Sequence, residues 1–252
     1  MPNRQFENEK NNYLIFPICT VSSQKKFRMN RFIAGLFLLI TANSCQIKTM
    51  AQETIRYVAL GDSYTICTGA KEEESWPVLL TKHLKENNID IELIANPSVN
   101  GMTTQAVIEY ELPILDKSKP TFVTLLIGTN DWVVGADSAT FQKKLIYIIE
   151  HIQQKLPDKN KLLLITLPDF SVTPSGKNYS RGRDISKGIS EFNKIIISEA
   201  KKRNLKTVDL FEVSKKMGTE PDLVSSDGLH PSAKGYALWE SLIFPVANEL
   251  LK

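Results

Sequence analysis

The stretch Ile55-Arg56-Tyr57-Val58-Ala59-Leu60-Gly61-Asp62-Ser63-Tyr64-Thr65 runs a short apolar segment straight into a Gly-Asp-Ser turn. Such a run closed by glycine has the length of a strand rather than a helix, so residues 55–60 read as β. Similar segments follow at 89–95, 121–127, 161–167 and 205–210. Between them, helical spacing of apolar residues is visible at 76–85, 104–115, 140–155 and 185–203, and a last helix is expected over 232–251, after Pro231. Strand–helix alternation of this kind predicts a parallel sheet covered by helices on both faces. Five strands over about 200 residues make one doubly wound domain, large enough to bury about 70% of its unfolded surface without staples.

Composition narrows the function classes. Of 252 residues, 42% are hydrophobic and 23% charged, with 12 Gly and 12 Pro, which excludes collagenous, disordered and polytopic membrane classes. The formal charge of +3 does not signal nucleic-acid binding. Residues 1–45 hold six cations (Arg4, Lys10, Lys25, Lys26, Arg28, Arg31) against Glu7 and Glu9, a net of +4, so residues 46–252 carry −1. The three cysteines, Cys19, Cys45 and Cys67, form no CxxC pair, and there is no HExxH, so neither a disulfide framework nor a zinc site is expected.

The basic excess precedes an apolar run over residues 32–42, too short to span a bilayer and right for a signal-peptide core. Ala42, Asn43 and Ser44 then lead to Cys45, a pattern that resembles a bacterial lipoprotein signal with Cys45 as the lipid attachment residue. Plain secretion, with cleavage before Gln52, and an uncleaved anchor are the alternatives. Residues 1–28 fit no signal peptide, and Met29 is a natural start. The expected organisation is an N-terminal extension and signal over 1–45, a linker over 46–54 and a folded domain over 55–252. Export to the bacterial cell envelope follows, with a membrane partner through the lipid.

Four segments fall at the strand ends or before the last helix: Gly61-Asp62-Ser63-Tyr64-Thr65, Asn100-Gly101-Met102-Thr103-Thr104, Gly128-Thr129-Asn130-Asp131 and Asp227-Gly228-Leu229-His230-Pro231. Singly each has a bland reading. Ser63 is a natural helix N-cap, and the others are turns and caps. Together they supply an acyl-transfer site. A serine hydroxyl needs a base within reach, and histidine suits that task near neutral pH. The far imidazole nitrogen needs a fixed acceptor, and Asp227, three residues before His230 on the same turn, has the spacing for it. The N–H groups of Ser63 and Gly101 and the side-chain amide of Asn130 are candidate oxyanion donors. Of the other histidines, His83 and His151 fall inside expected helices, where surface or packing roles fit them better.

In order and distance the four segments resemble the SGNH, or GDSL-type, esterase and lipase superfamily, with Ser63, Gly101, Asn130 and His230 standing for the four letters. The resemblance covers about residues 55–250. It implies a flavodoxin-like three-layer α/β/α sandwich with a mostly parallel five-stranded sheet. It also implies Ser63 as nucleophile, His230 as base, Asp227 as its partner, and no metal or organic cofactor. The chain departs from the pattern at Tyr64, where the family name has leucine, and at Met102, where many members carry an acidic residue. Cys67 stands at a position often occupied by a small residue. No GxSxG elbow is present, which disfavours the α/β-hydrolase fold.

The function expected is hydrolysis of carboxylic esters, either short acyl groups on carbohydrate or lysophospholipid and other fatty acyl esters. A catalytically silent surface-binding lipoprotein and an acyltransferase are the alternatives. Residues 171–187 hold Lys177, Arg181, Arg183 and Lys187 against Asp184. That charge suggests either a solvated loop or a lid whose cations meet an anionic leaving group.

Overall fold

β1 (Ile55–Gly61) lies between β2 (Ile91–Ala95) and the central strand β3 (Phe122–Leu126), with β4 (Leu162–Ile165) and β5 (Lys206–Val208) beyond. The computed structural model describes residues 53–252, so Cys45, the apolar run at 32–42 and the 1–45 and 46–52 segments lie outside the described residues. The strand order is β2-β1-β3-β4-β5 and every pairing is parallel, so the sheet is wholly rather than mostly parallel. A sheet covered on both faces needs strands apolar on both faces. β3 and β4 meet that demand with every residue buried. Thr124, the polar member of β3, bonds the Tyr57 hydroxyl at 2.8 Å.

Among the described residues nine α-helices of varied length surround the sheet: α1 (Ser63–Ile66), α2 (Trp76–Glu86), α3 (Thr104–Ala106), α4 (Leu112–Ser118), α5 (Thr129–Val134), α6 (Ser138–Lys155), α7 (Ile185–Lys202), α8 (Phe211–Ser214) and α9 (Ala233–Leu251). α2 packs on α9, while α6 packs on α4 and α7, which gives the two helical layers. The helix expected over 104–115 is interrupted by a π-turn over Val107–Glu111. There the Leu112 N–H reaches back five residues to the Val107 carbonyl. Pro113 follows, with no N–H to continue the ordinary ladder.

Strand edges are shorter than the sequence suggests, for local reasons. Asn88 adopts a left-handed conformation that turns the chain out of α2, and pairing in β2 starts only at Ile91 opposite Ile55. Order 2-1-3-4-5 has its switch point between β1 and β3, where the connections leave in opposite directions and a crevice opens at the carboxyl ends. Ser63 follows β1 and Asn130 follows β3.

Candidate active site

Gly61 ends β1 under tight constraint. A Cβ there would sit 2.2 Å from Thr65 Oγ1 and 2.4 Å from the Leu126 carbonyl, so the turn into α1 closes only around glycine. Asp62 then caps α1, its Oδ1 accepting the Tyr64 N–H at 3.0 Å. The bland reading of Ser63 as N-cap is therefore corrected. Asp62 is the cap, and Ser63 is the first helical residue, its hydroxyl relieved of capping and 7% exposed. Cys67 ends the same turn in a left-handed conformation with its thiol buried, and burial pushes that thiol well above its ordinary pKa. A thiol kept protonated is no nucleophile.

The second loop turns at Gly101, whose φ of +80° suits glycine although nothing lies within 4 Å of a Cβ built there. Met102, the departure from the family pattern, leaves the loop supported from elsewhere. Asn130 Nδ2 donates to the Met102 carbonyl at 3.0 Å, and Asp131 accepts the Thr104 N–H at 2.8 Å and the Thr104 hydroxyl at 2.5 Å. Thr68, just after α1, bonds Asn100. Asn130 Nδ2 also donates to Asp62 Oδ2 at 3.2 Å, so both amide hydrogens have acceptors. The N–H groups of Ser63 and Gly101, by contrast, donate to no acceptor among the described residues.

The third component is a closed loop before α9. Val224 bridges Pro231, and the Ser225 N–H donates to the His230 carbonyl at 2.8 Å. Inside it, Asp227 Oδ2 meets His230 Nδ1 at 2.6 Å, while Oδ1 accepts from the Ser225 hydroxyl and the Leu229 and His230 N–H groups at 2.7, 2.8 and 2.9 Å. Partial burial raises this carboxyl, but His230, Ser225 and the two N–H donors outweigh it and hold Asp227 well below the usual carboxylate range. The segment over 171–187 buttresses the loop: Ser175 donates its N–H to the Gly228 carbonyl at 2.8 Å and its hydroxyl to the Asp227 carbonyl at 3.0 Å.

Ser63, Gly101, Asn130 and His230 line one cavity of about 270 Å³. Tyr64, Asn100, Thr129, Val133, Phe170, Tyr179 and Leu229 complete the wall. Asp227 stands behind His230, and no hydrogen bond within 3.5 Å joins His230 to Ser63. Such contacts often tighten only with substrate in place. The Tyr64 and His230 rings meet edge-on, with centroids 5.4 Å apart.

None of the four cations at 177–187 lines this cavity. Arg183 instead donates to the Trp132 and Val133 carbonyls at 2.7 and 3.0 Å and lies 4.0 Å over the Trp132 ring, closing the end of α5. What the segment brings to the wall is aromatic: Tyr179, with Phe170 just before it. Counting charges along the loop could not show this, since the two carbonyls sit about fifty positions away in sequence.

Sequence reasoning also passed over the acids beneath the site. Burial pushes Asp62 up to about 7, and the neighbouring charge of Asp131 adds to that against the donors Tyr64 and Asn130. Burial likewise raises Asp131 against its bonds from Thr104. Glu111, fully buried, is the third. Its position on the Thr104, Val107, Glu111, Leu115 stripe is the signal that could have found it, because a carboxylate on an apolar helix face needs a reason.

Residues 59–238 match the GDSL-like Lipase/Acylhydrolase family. Esterase TesA of Pseudomonas aeruginosa is 24% identical over 194 residues, covering 77% of this chain and 88% of that protein. A multidomain esterase of Ruminococcus flavefaciens is 29% identical over 122 residues, 48% of this chain; the chain spans only 15% of that protein's length. Among solved structures, a lipase/acylhydrolase from Enterococcus faecalis superposes with a TM-score of 0.63 at 26% identity, covering 79% of this chain and 98% of the other. The acetylxylan esterase Axe2 of Geobacillus stearothermophilus shares the fold, with a TM-score of 0.61 at 16% identity, covering 77% and 94%. The chain belongs to the GDSL-like lipase/acylhydrolase family of carboxylic ester hydrolases.

Proposed function

We propose that this chain hydrolyses short-chain carboxylic esters of hydroxylated alcohols, carbohydrate among them, through an acyl-enzyme on Ser63. The observation that carries the reading is the 2.6 Å Asp227–His230 pair whose imidazole shares a cavity wall with Ser63. With Nδ1–H donated to Asp227, Nε2 is the nitrogen left to take the Ser63 proton as Oγ attacks the ester carbonyl. The developing oxyanion meets the unengaged N–H groups of Ser63 and Gly101. Asn130 joins them by giving up its longer contact, the 3.2 Å bond to Asp62. His230 then passes the proton to the departing alkoxide, and a water deprotonated by the same nitrogen releases the acid.

Cavity size argues for a short acyl group. Pockets for drug-sized ligands run to about 300–1,000 Å³, and this one holds about 270 Å³. Its wall is mixed rather than greasy. Polar Asn100 and Thr129 stand in it beside apolar Val133, Phe170 and Leu229. Tyr179, half-exposed, gives a sugar ring a face to lie on. The N-terminal pattern adds export and a lipid on Cys45 to the same reading.

The test is a rate series on p-nitrophenyl esters from acetate to palmitate, run beside an acetylated glycan, with a serine-directed phosphonate as covalent probe. Rates should fall as the acyl chain lengthens, the glycan should release acetate, and the phosphonate should label wild type but not Ser63→Ala. Preference for palmitate would refute the short-acyl assignment. Absence of both labelling and turnover would return the silent-binder reading.

A further inference from the structure

Glu111 is a carboxyl group that the chemistry above does not use, and it lies directly under the turn that presents Ser63. Its Oε2 accepts the Gly61 N–H at 3.0 Å, two residues before Ser63, and its Oε1 has no partner among the described residues. The side chain is wholly buried at the end of the π-turn, which sets it on the inward stripe between Val107 and Leu115. Hydrophobic residues fill the neighbouring stripe positions, and a leucine would pack there without exposing a polar atom. The Gly61 N–H would then be left unsatisfied at the tightest point of the turn, where Thr65 and Leu126 already press on the backbone.

Among the described residues no cation offsets a charge at this point. Asp62, after β1, is the charged group that acts on Glu111, and it is acidic. Arg56, at the far end of β1, is engaged with the Ser118 and Lys119 carbonyls. Tyr57 is tied to Thr124, and Glu109, on the π-turn itself, accepts from Gln105. Lys144 of α6 acts on Asp131 rather than on Glu111.

We propose that Glu111 is a positioning residue that works as a neutral carboxylic acid, holding the Gly61–Asp62–Ser63 turn, and that its ionisation ends activity on the alkaline side. Burial pushes its carboxyl up to about 9, opposed by the Gly61 N–H and reinforced by Asp62. Below that pH the group accepts from Gly61 without placing a charge near the site. Above it, a second anion stands beside Asp62, which already accepts from Asn130. The tetrahedral intermediate, itself an anion held by Asn130, then forms against added repulsion. The proposal rests on Ser63 being the nucleophile, and the experiment keeps the two apart.

kcat and KM are measured from about pH 6 to about pH 10.5 for wild type, Glu111→Gln, Glu111→Ala and Ser63→Ala, with release of acid followed in a pH-stat and folding followed by tryptophan fluorescence. Glutamine can accept the Gly61 N–H and cannot ionise. Wild type should lose kcat on the alkaline side with a midpoint near 9, and a wild-type profile without that fall overturns the proposal. Glu111→Gln should keep kcat within about threefold at neutral pH, the cost of a neutral hydrogen-bond exchange, and should lack the fall. Glu111→Ala should lower kcat by about tenfold or more, with KM little changed. An unchanged alkaline limb in folded Glu111→Gln overturns the proposal, as does a loss in Glu111→Gln equal to that in Glu111→Ala. If Glu111→Ala does not fold, the limb in Glu111→Gln decides alone. Activity surviving in Ser63→Ala sinks the nucleophile assignment, whatever the Glu111 variants do.

Discussion

Asn130→Ala tests the donor arrangement most directly, because the structure fixes what its amide does before any substrate arrives. Nδ2 bonds the Met102 carbonyl at 3.0 Å and Asp62 Oδ2 at 3.2 Å. Truncation removes both bonds at a net loss of about 0.5–1.5 kcal/mol each, so roughly 1–3 kcal/mol of stability. For a domain of this size that is a fall in Tm of roughly 2–12 °C. Loss of one oxyanion donor lowers kcat by about 10²–10³, or about 2.7–4 kcal/mol of transition-state stabilisation. KM should move little, since the donor acts on charge that exists only after attack. The assay is kcat and KM on p-nitrophenyl acetate, normalised to sites titrated by the phosphonate, with urea unfolding in parallel. Asn130→Asp, nearly the same shape but without the donor, should lose as much kcat and more stability, because it sets a carboxylate oxygen against Asp62 and the Met102 carbonyl. A loss of kcat that vanishes on normalisation, or a change confined to KM, would refute the assignment.

Arg183→Met keeps the side-chain stem but drops the bonds to the Trp132 and Val133 carbonyls. It should destabilise the fold by about 1–3 kcal/mol in urea unfolding, and should leave the ratio of kcat/KM on anionic and neutral esters unchanged; a shifted ratio would reinstate the charged lid. Stability should also drift with pH. Asp62, raised to about 7, and Glu111, raised to about 9, hold protons that the unfolded chain has already released. Their contribution is full below the ordinary carboxylate range and is lost as pH rises through 7 and then 9. Tm should therefore fall between mildly acidic and alkaline buffer, and Glu111→Gln should flatten the upper part of that fall. Cys45→Ser in the native host should give soluble or unprocessed protein; wild-type protein found unlipidated and starting beyond Cys45 would refute the lipoprotein signal.

The parallel sheet was legible because its demands are local. A strand buried on both faces must be nearly continuous in apolar residues, as Phe122–Leu126 and Leu162–Ile165 are. The four segments that carry the site were legible for a related reason, since each follows a strand or precedes a helix and uses turn residues. What failed to show was anything made by a distant pair. Asp62 and Asn130 are 68 positions apart, and Arg183 reaches carbonyls about fifty positions away. The π-turn was missed as well. Its residues keep helical spacing, and only the pairing of Leu112 with Val107, next to Pro113, reveals it.

Three carboxyl groups lie at the carboxyl ends of β1 and β3 and a fourth on the loop before α9, and their surroundings separate their tasks. Asp62, Glu111 and Asp131 are all raised, each first by burial. Asp227 alone is pushed down, because it gathers the imidazole, a hydroxyl and two backbone N–H donors on a half-exposed loop. Imidazolium forms only during the reaction, so its partner must already be ionised across the working pH range and must stay so. Asp227 meets that condition. Asp62, though nearer to Ser63 in sequence, does not, since its carboxyl would be partly protonated near neutrality. The converse holds at the oxyanion, where a fixed negative charge opposes the transition state. There the chain places acids whose ionisation burial opposes, two of them tied to Tyr64, Asn130 and Thr104, so the two tasks fall to carboxyl groups in opposite surroundings.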